Sequence, residues 1–119
     1  MKHYLKGRIK SFGFAFTGFK YLFLEANFRI HIVAFILVVA LSFYLNISSL
    51  EWLFVLSSSA LVLISEAINT AIEKTLDYIS TDKNVSIGKI KDISASFVLI
   101  SALYAIAVGA IIFIPKLFF

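Results

Sequence analysis

The sequence contains no cysteine, a single proline and few charged residues. The absence of cysteine excludes disulfides, thiolate metal sites and cysteine nucleophiles. Charged residues make up 15% of the 119 positions and hydrophobic residues 61%, whereas a soluble domain is nearer one quarter charged and one half apolar. This composition excludes an ordinary soluble fold and a disordered tail. The 13 phenylalanines and the mean hydropathy of +0.96 predict a small, single-domain, all-α integral membrane protein.

Three segments lack Asp, Glu, Lys and Arg: 30–50, 52–65 and 93–115. The first and third are long enough for a membrane span, which needs about 20 apolar residues. The second continues at helical spacing over 52–79, about 42 Å at a rise of roughly 1.5 Å per residue. Because the hydrocarbon core is about 30 Å thick, its far end should emerge into water. We predict transmembrane helices over 30–50, 52–79 and 92–115.

Basic residues concentrate on one side of these spans. They precede the first span (Lys2, Lys6, Arg8, Lys10, Lys20, Arg29) and separate the second from the third (Lys74, Lys83, Lys89, Lys91). Positive residues favour the cytoplasmic side, so we expect a cytoplasmic N-terminus and an outer C-terminus. The formal charge of +4 then suits an anionic membrane surface, and we expect no nucleic-acid partner.

The N-terminal segment carries apolar residues at helical spacing: Leu5, Ile9, Phe12, Phe16, Phe19 and Phe23. This pattern predicts an amphipathic helix over 1–28 that lies in the cytoplasmic membrane surface. The alternative is a fourth transmembrane helix, against which the charges of Lys20 and Glu25 argue.

A stripe of polar residues runs along the second predicted span. Glu66, Asn69, Glu73 and Asp77 fall within an arc of about 80° on a helix. An ionised carboxylate at mid-bilayer costs about 2.5–3.5 kcal/mol, so acids in such a position are functional by default.

Further ionisable groups stand at the same boundary. Glu25 and Arg29 precede the first span, and Lys91 and Asp92 open the third. Carboxylates and an amide beside lysines suit a divalent cation that carries phosphate. The five glycines form neither G-x-x-x-x-G-K-[ST] nor G-x-G-x-x-G, so any nucleotide site must use another architecture.

The segment EAINTAIEKTLDYIS at 66–80, followed by Lys91–Asp92, resembles the small prokaryotic diacylglycerol kinases, including their undecaprenol kinase branch. The pattern E-x-x-N-[TS]-A-I-E-x-x-x-D is matched in full within 66–77. The pattern E-x-N-F-R-I-H is matched by 25–31, and the EW pair by Glu51–Trp52. The resemblance extends over nearly the whole chain.

This resemblance implies a homotrimer, with a surface helix and three transmembrane helices per subunit, in the bacterial cytoplasmic membrane. It implies active sites shared between subunits at the cytoplasmic interface. The implied reaction is Mg²⁺- and ATP-dependent phosphorylation of a lipid hydroxyl, converting diacylglycerol to phosphatidic acid or undecaprenol to undecaprenyl phosphate. The resemblance makes Glu66 the general base and Glu25 and Glu73 the Mg²⁺ ligands. The implied nucleotide site comprises Glu25, Asn69, Glu73, Asp77, Asp82, Lys83, Asn84, Lys91 and Asp92. The implied lipid contacts are Arg8, Phe12, Phe16, Glu66 and Ala95.

Several positions depart from the family pattern. His31 stands where some relatives carry an acid, Phe14 where others carry Tyr, and Ala95 where some carry Ser. The RIH and EW forms favour the undecaprenol branch, while the departures leave the lipid open. We interpret His31 as a capping or interface histidine in preference to a catalytic one.

Two other functions are compatible with a small membrane protein. A proton-coupled transporter would use Glu66 as its carrier, but it gives no reason for acids extending into the cytoplasm. A non-enzymatic assembly or pore protein would not need Asn69 within an acidic stripe. Both are weaker interpretations than the lipid kinase.

Overall fold

The computed structural model describes residues 1–119 as four helices: α1 (Lys2–Leu24), α2 (Ala26–Tyr44), α3 (Ser49–Ile79) and α4 (Val85–Phe118). Helices α2, α3 and α4 are long and apolar enough to span a membrane, and α1 is not among them. The predicted all-helical fold with three candidate spans is confirmed, and the alternative of a fourth span has no support.

Glu25 separates α1 from α2 with an extended backbone (φ −81°, ψ 127°). The predicted surface helix over 1–28 therefore ends at Leu24. The break allows Phe28, which is buried, to pack edge-on against Phe23, with ring centroids 5.4 Å apart. No residue of α1 is buried. Its location in a membrane surface remains a prediction.

The turn between α2 and α3 occupies residues 45–48, earlier than the charge pattern predicted. Asn46 adopts a left-handed conformation (φ 48°). Ser48 then caps α3: its Oγ accepts from the Glu51 N–H at 3.2 Å, and its own N–H donates to Glu51 Oε2 at 2.7 Å. This capping box explains why α3 begins at Ser49 and not at 52.

Helix α4 begins at Val85, seven residues before the predicted start at 92. Asn84 Oδ1 accepts from the N–H groups of Ser86 (2.8 Å) and Ile87 (3.3 Å) and so supplies the N-cap. The cap places Lys91 on a helix, where its backbone is fixed, and not in a loop.

Helix α3 packs along α4 over the most extensive helix–helix contact and more briefly against α2. Two groups of buried residues lie at opposite ends of this bundle. Apolar ones cluster near the turn between α2 and α3: Ile47, Val55, Val108, Ile112 and Phe113. Polar ones lie toward the other end: Ser65, Glu66, Asn69, Thr70, Ser94 and Ser101. We call that other end, which holds Glu25, the C-terminal part of α3 and the start of α4, the charged end.

Candidate functional site

Four polar side-chain pairs link the helices at the charged end. They are His31–Glu66 between α2 and α3, Ser94–Asn69 and Lys91–Asp77 between α4 and α3, and Lys74–Glu25 between α3 and the α1–α2 break. All four α3 residues lie within the stretch 66–77 that carries the polar stripe. The structure thus brings the predicted stripe together with groups from three other parts of the chain.

Glu66 is the deepest acid of the stripe and is only 4% exposed. His31 is the one basic side chain near it, with Nε2 3.8 Å from Glu66 Oε2. Glu25 and Glu73 lie within electrostatic range of the same carboxylate. A carboxylate that is buried in this way is screened from water.

Asn69, one turn from Glu66, is fixed by α4. Ser94 Oγ donates to Asn69 Oδ1 at 2.8 Å, and both residues are buried. Deeper in the bundle the hydroxyls of Ser65 and Ser101 share a hydrogen bond of 2.6 Å. Small serines allow the two helices to approach closely, so these bonds set the register of α3 against α4.

Two ion pairs stand at the water side of the stripe. Lys91 Nζ lies 2.6 Å from Asp77 Oδ1, and Lys74 Nζ lies 2.7 Å from Glu25 Oε1. The side chain of Asp77 is 58% exposed and that of Lys74 60%. Pairs this exposed contribute about 0–1 kcal/mol to stability, so stability alone does not explain this arrangement.

The remaining residues of the predicted nucleotide site are exposed. Glu73, Asp82, Lys83 and Asp92 form no ion pair within the chain. Asn84 instead uses its side-chain oxygen to cap α4. These side chains lie at or near the charged end, and no ion pair fixes them there.

The predicted lipid contacts are not gathered at Glu66 within one chain. Arg8 bonds to its helix neighbour Tyr4, with Nη2 2.6 Å from the hydroxyl. Phe12 and Phe16 are about two-thirds exposed, at 68% and 69%. Ala95 is exposed on α4.

Within the chain, no three acidic or histidine side chains converge on a metal position. Mg²⁺ does not require such a cluster, because it keeps several waters and binds through one or two carboxylates and phosphate oxygens. Glu25 and Glu73 have the donor chemistry for that mode, although Glu25 is engaged by Lys74. The residues therefore fit a metal that arrives with phosphate.

A groove of about 520 Å³ lies between α2, α3 and α4, and His31 stands among its lining residues. Twelve of its 16 lining residues are hydrophobic, and the groove extends to Phe113 in the apolar cluster. An apolar groove that reaches the polar pairs at one point suits a molecule with one polar end and a long apolar chain.

Sequence reasoning missed three parts of this site. The sequence pattern predicts a cap or interface position for His31, only a positive charge for Lys74, and no role for Ser94. Spacing contained a signal for Ser94. It lies seven residues from Ser101, as Asn69 lies four from Ser65, so each pair shares a helix face.

Comparison with known proteins identifies the family. A sequence model of prokaryotic diacylglycerol kinase matches residues 13–113. The chain is 36% identical over 94 residues to an undecaprenol kinase of Bacillus subtilis, covering 78% of this chain and 76% of that protein. It is 31% identical over 105 residues to a diacylglycerol kinase of Escherichia coli, covering 87% and 86%. A diacylglycerol kinase of Synechocystis is 33% identical over 109 residues, which are 90% of this chain and 62% of that longer protein.

Proposed function

The chain belongs to the prokaryotic diacylglycerol kinase family, whose curated relatives are lipid kinases, and we propose that it transfers the terminal phosphate of ATP to the hydroxyl of a membrane lipid. One observation carries the proposal. A buried carboxylate, Glu66, lies 3.8 Å from His31, which lines an apolar groove, and it shares its helix face with a set of paired acids and lysines. This arrangement can receive a lipid and a charged phosphate donor at the same boundary.

Glu66 acts in this proposal as the general base. The lipid hydroxyl gives its proton to the Glu66 carboxylate while its oxygen attacks the terminal phosphorus. The bond from that phosphorus to the bridging oxygen breaks, and ADP leaves with the electron pair. The proton on Glu66 then passes to water. Phosphoryl transfer depends chiefly on positioning and charge neutralisation, so a fixed base near a neutralising site is sufficient machinery.

The water side of the stripe would hold the nucleotide. Glu25 and Glu73 would bind Mg²⁺, which supplies charge neutralisation on the phosphates. Lys91 would move from Asp77 to a phosphate oxygen, a short shift because the pair is exposed. Asn69, held by Ser94, would present its amide group to the nucleotide. Asp92 and the exposed segment Asp82, Lys83 and Asn84 would border the same site.

The lipid is diacylglycerol or undecaprenol. The RIH and EW forms in the sequence favour undecaprenol, and the relatives include kinases of both lipids. Arg8, Phe12, Phe16 and Ala95 would border the lipid only if a neighbouring subunit brings them to Glu66. A homotrimer with shared sites is therefore part of the proposal. The protein would span the cytoplasmic membrane of a bacterial cell, with its lysine-rich charged end on the cytoplasmic side.

The test is phosphate transfer from labelled MgATP by the purified protein in mixed micelles. Diacylglycerol, undecaprenol and a no-lipid control run in parallel, each with and without EDTA. We expect label on one lipid, no label without lipid, and loss of transfer when the metal is chelated. A folded protein that labels neither lipid contradicts the proposal.

A further inference from the structure

We propose that His31 is a positioning residue for Glu66, holding its carboxylate ionised and aimed at the point where the apolar groove meets the polar stripe. The inference rests on the proposed role of Glu66 as base. The inference gives His31 a functional role that the sequence alone does not predict.

The position of His31 within its helix does not suit a cap. A capping residue stands at a helix end, whereas His31 is the sixth residue of α2. Its Nε2 lies 3.8 Å from Glu66 Oε2, and its side chain is 25% exposed. It also lines the groove. The imidazole therefore lies between the base and the path along which a lipid would approach.

Other acidic residues near Glu66 repel its negative charge, so a positively charged neighbour would stabilise its ionised carboxylate. On α3, Glu73 is a second negative charge within electrostatic range, and Glu25 at the α1–α2 break is a third. Helix α4 presents the uncharged hydroxyls of Ser94 and Ser101 to this stretch. Lys74 already pairs with Glu25, so His31 is the basic side chain that the structure places beside Glu66 itself. A base must be ionised to act, so the charge of this neighbour bears directly on the rate.

Two further features fit a positioning role. At 3.8 Å the contact is longer than a hydrogen bond, so His31 acts by its charge and does not tie up the oxygen that would take the proton. Imidazole is also the side chain that gains and loses charge near neutral pH. We therefore expect the effect of replacing His31 to depend on pH.

The experiment measures kcat and KM of His31→Gln in micelles at pH 6.5 and pH 9. The control is His3→Gln, which changes the only other histidine, an exposed residue of α1. We expect kcat of His31→Gln to fall about tenfold or more at pH 6.5, with the deficit shrinking at pH 9, because imidazole side chains are uncharged in alkaline solution. The KM for MgATP should stay within about twofold, since His31 does not touch the nucleotide.

His31→Lys supplies the rescue, because it keeps a positive charge at the same position. We expect it to retain most of the wild-type kcat at pH 6.5. A folded His31→Lys as inactive as Glu66→Gln would contradict the charge role. If His31→Gln does not fold, the activity of His31→Lys alone tests whether His31 acts by its charge.

A third variant separates this inference from the proposed function. If Glu66→Gln is inactive while His31→Gln matches His3→Gln at both pH values, the role of His31 is wrong and the lipid kinase stands. If Glu66→Gln keeps full activity, the base assignment fails, and the inference about His31 fails with it. A His31→Gln deficit that is equal at both pH values would indicate a packing defect and would also overturn the proposal.

Discussion

Ser94→Ala removes the hydrogen bond that holds Asn69 and should weaken both the fold and nucleotide binding. Ser94 is 1% exposed, and its Oγ donates to Asn69 Oδ1 at 2.8 Å. Interhelical hydrogen bonds in membrane proteins average about 0.6 kcal/mol and reach about 1.7. Leaving a buried acceptor without a partner costs about 1–3 kcal/mol. We therefore expect Ser94→Ala to lower the free energy of unfolding by about 1–2 kcal/mol.

The functional part of this prediction follows from the freed amide. An Asn69 side chain that is no longer fixed by α4 must be ordered when nucleotide binds, so KM for MgATP should rise about 3- to 10-fold, the equivalent of roughly 0.7–1.4 kcal/mol. Unfolding by denaturing detergent gives the stability change, and lipid phosphorylation gives KM.

Ser96→Ala is the matched control, two residues along the same helix. Ser96 Oγ donates only within α4, to the Ile93 carbonyl at 2.6 Å, so its removal breaks no contact between helices. We expect Ser96→Ala to lower the free energy of unfolding by less than about 0.5 kcal/mol, as for other substitutions away from such contacts, and to leave KM unchanged. If the two variants have equal stability and equal KM, the Ser94–Asn69 bond does not have the role described.

Three further predictions test other contacts. Lys91→Met should change the free energy of unfolding by less than about 1 kcal/mol, because its pair with Asp77 is exposed. It should raise KM for MgATP at least tenfold. A large loss of stability with a normal KM would contradict this assignment. Ser65→Ala and Ser101→Ala should each cost about 1 kcal/mol, and the double variant no more than either single one, as measured by a double-mutant cycle on unfolding free energy; additive losses would show that their 2.6 Å hydrogen bond is not shared. Ser48→Ala should lower unfolding free energy by about 1 kcal/mol through loss of the α3 cap, with kcat and KM unchanged, whereas a loss of activity would link the far end of the bundle to catalysis.

The charge pattern of the sequence predicts the spans because burial in lipid excludes charge. Segments without charged residues match α2, α3 and α4 in number and order. Their ends differ because local hydrogen bonds decide where a helix begins. The pairs Ser48–Glu51 and Asn84–Ser86 set the starts of α3 and α4. Counting apolar residues along the sequence does not detect these capping hydrogen bonds. An S-x-x-E motif at 48–51 and an asparagine before 85 were available signals.

The polar stripe on α3 is predictable because it depends on one helix alone. Its partners are not, since they depend on how helices pack. Lys74 meets Glu25 only because the backbone breaks at Glu25 and turns α2 away from α1. Ser94 meets Asn69 only because the α3–α4 register places them side by side. The lipid contacts on α1 depend on an assembly that one chain does not define, and they remain a prediction.

Glu66→Gln tests the central claim most directly. The substitution keeps the size of a side chain that is 4% exposed and removes its negative charge together with its capacity to accept a proton. Glu51→Gln is the matched control, since Gln also completes a capping box at that position and Glu51 lies at the opposite end of α3. In the same micelle assay, we predict that Glu66→Gln lowers kcat by about 10²-fold or more, in the range of general-base catalysis, while Glu51→Gln retains wild-type kcat. A folded Glu66→Gln with wild-type kcat would contradict the account.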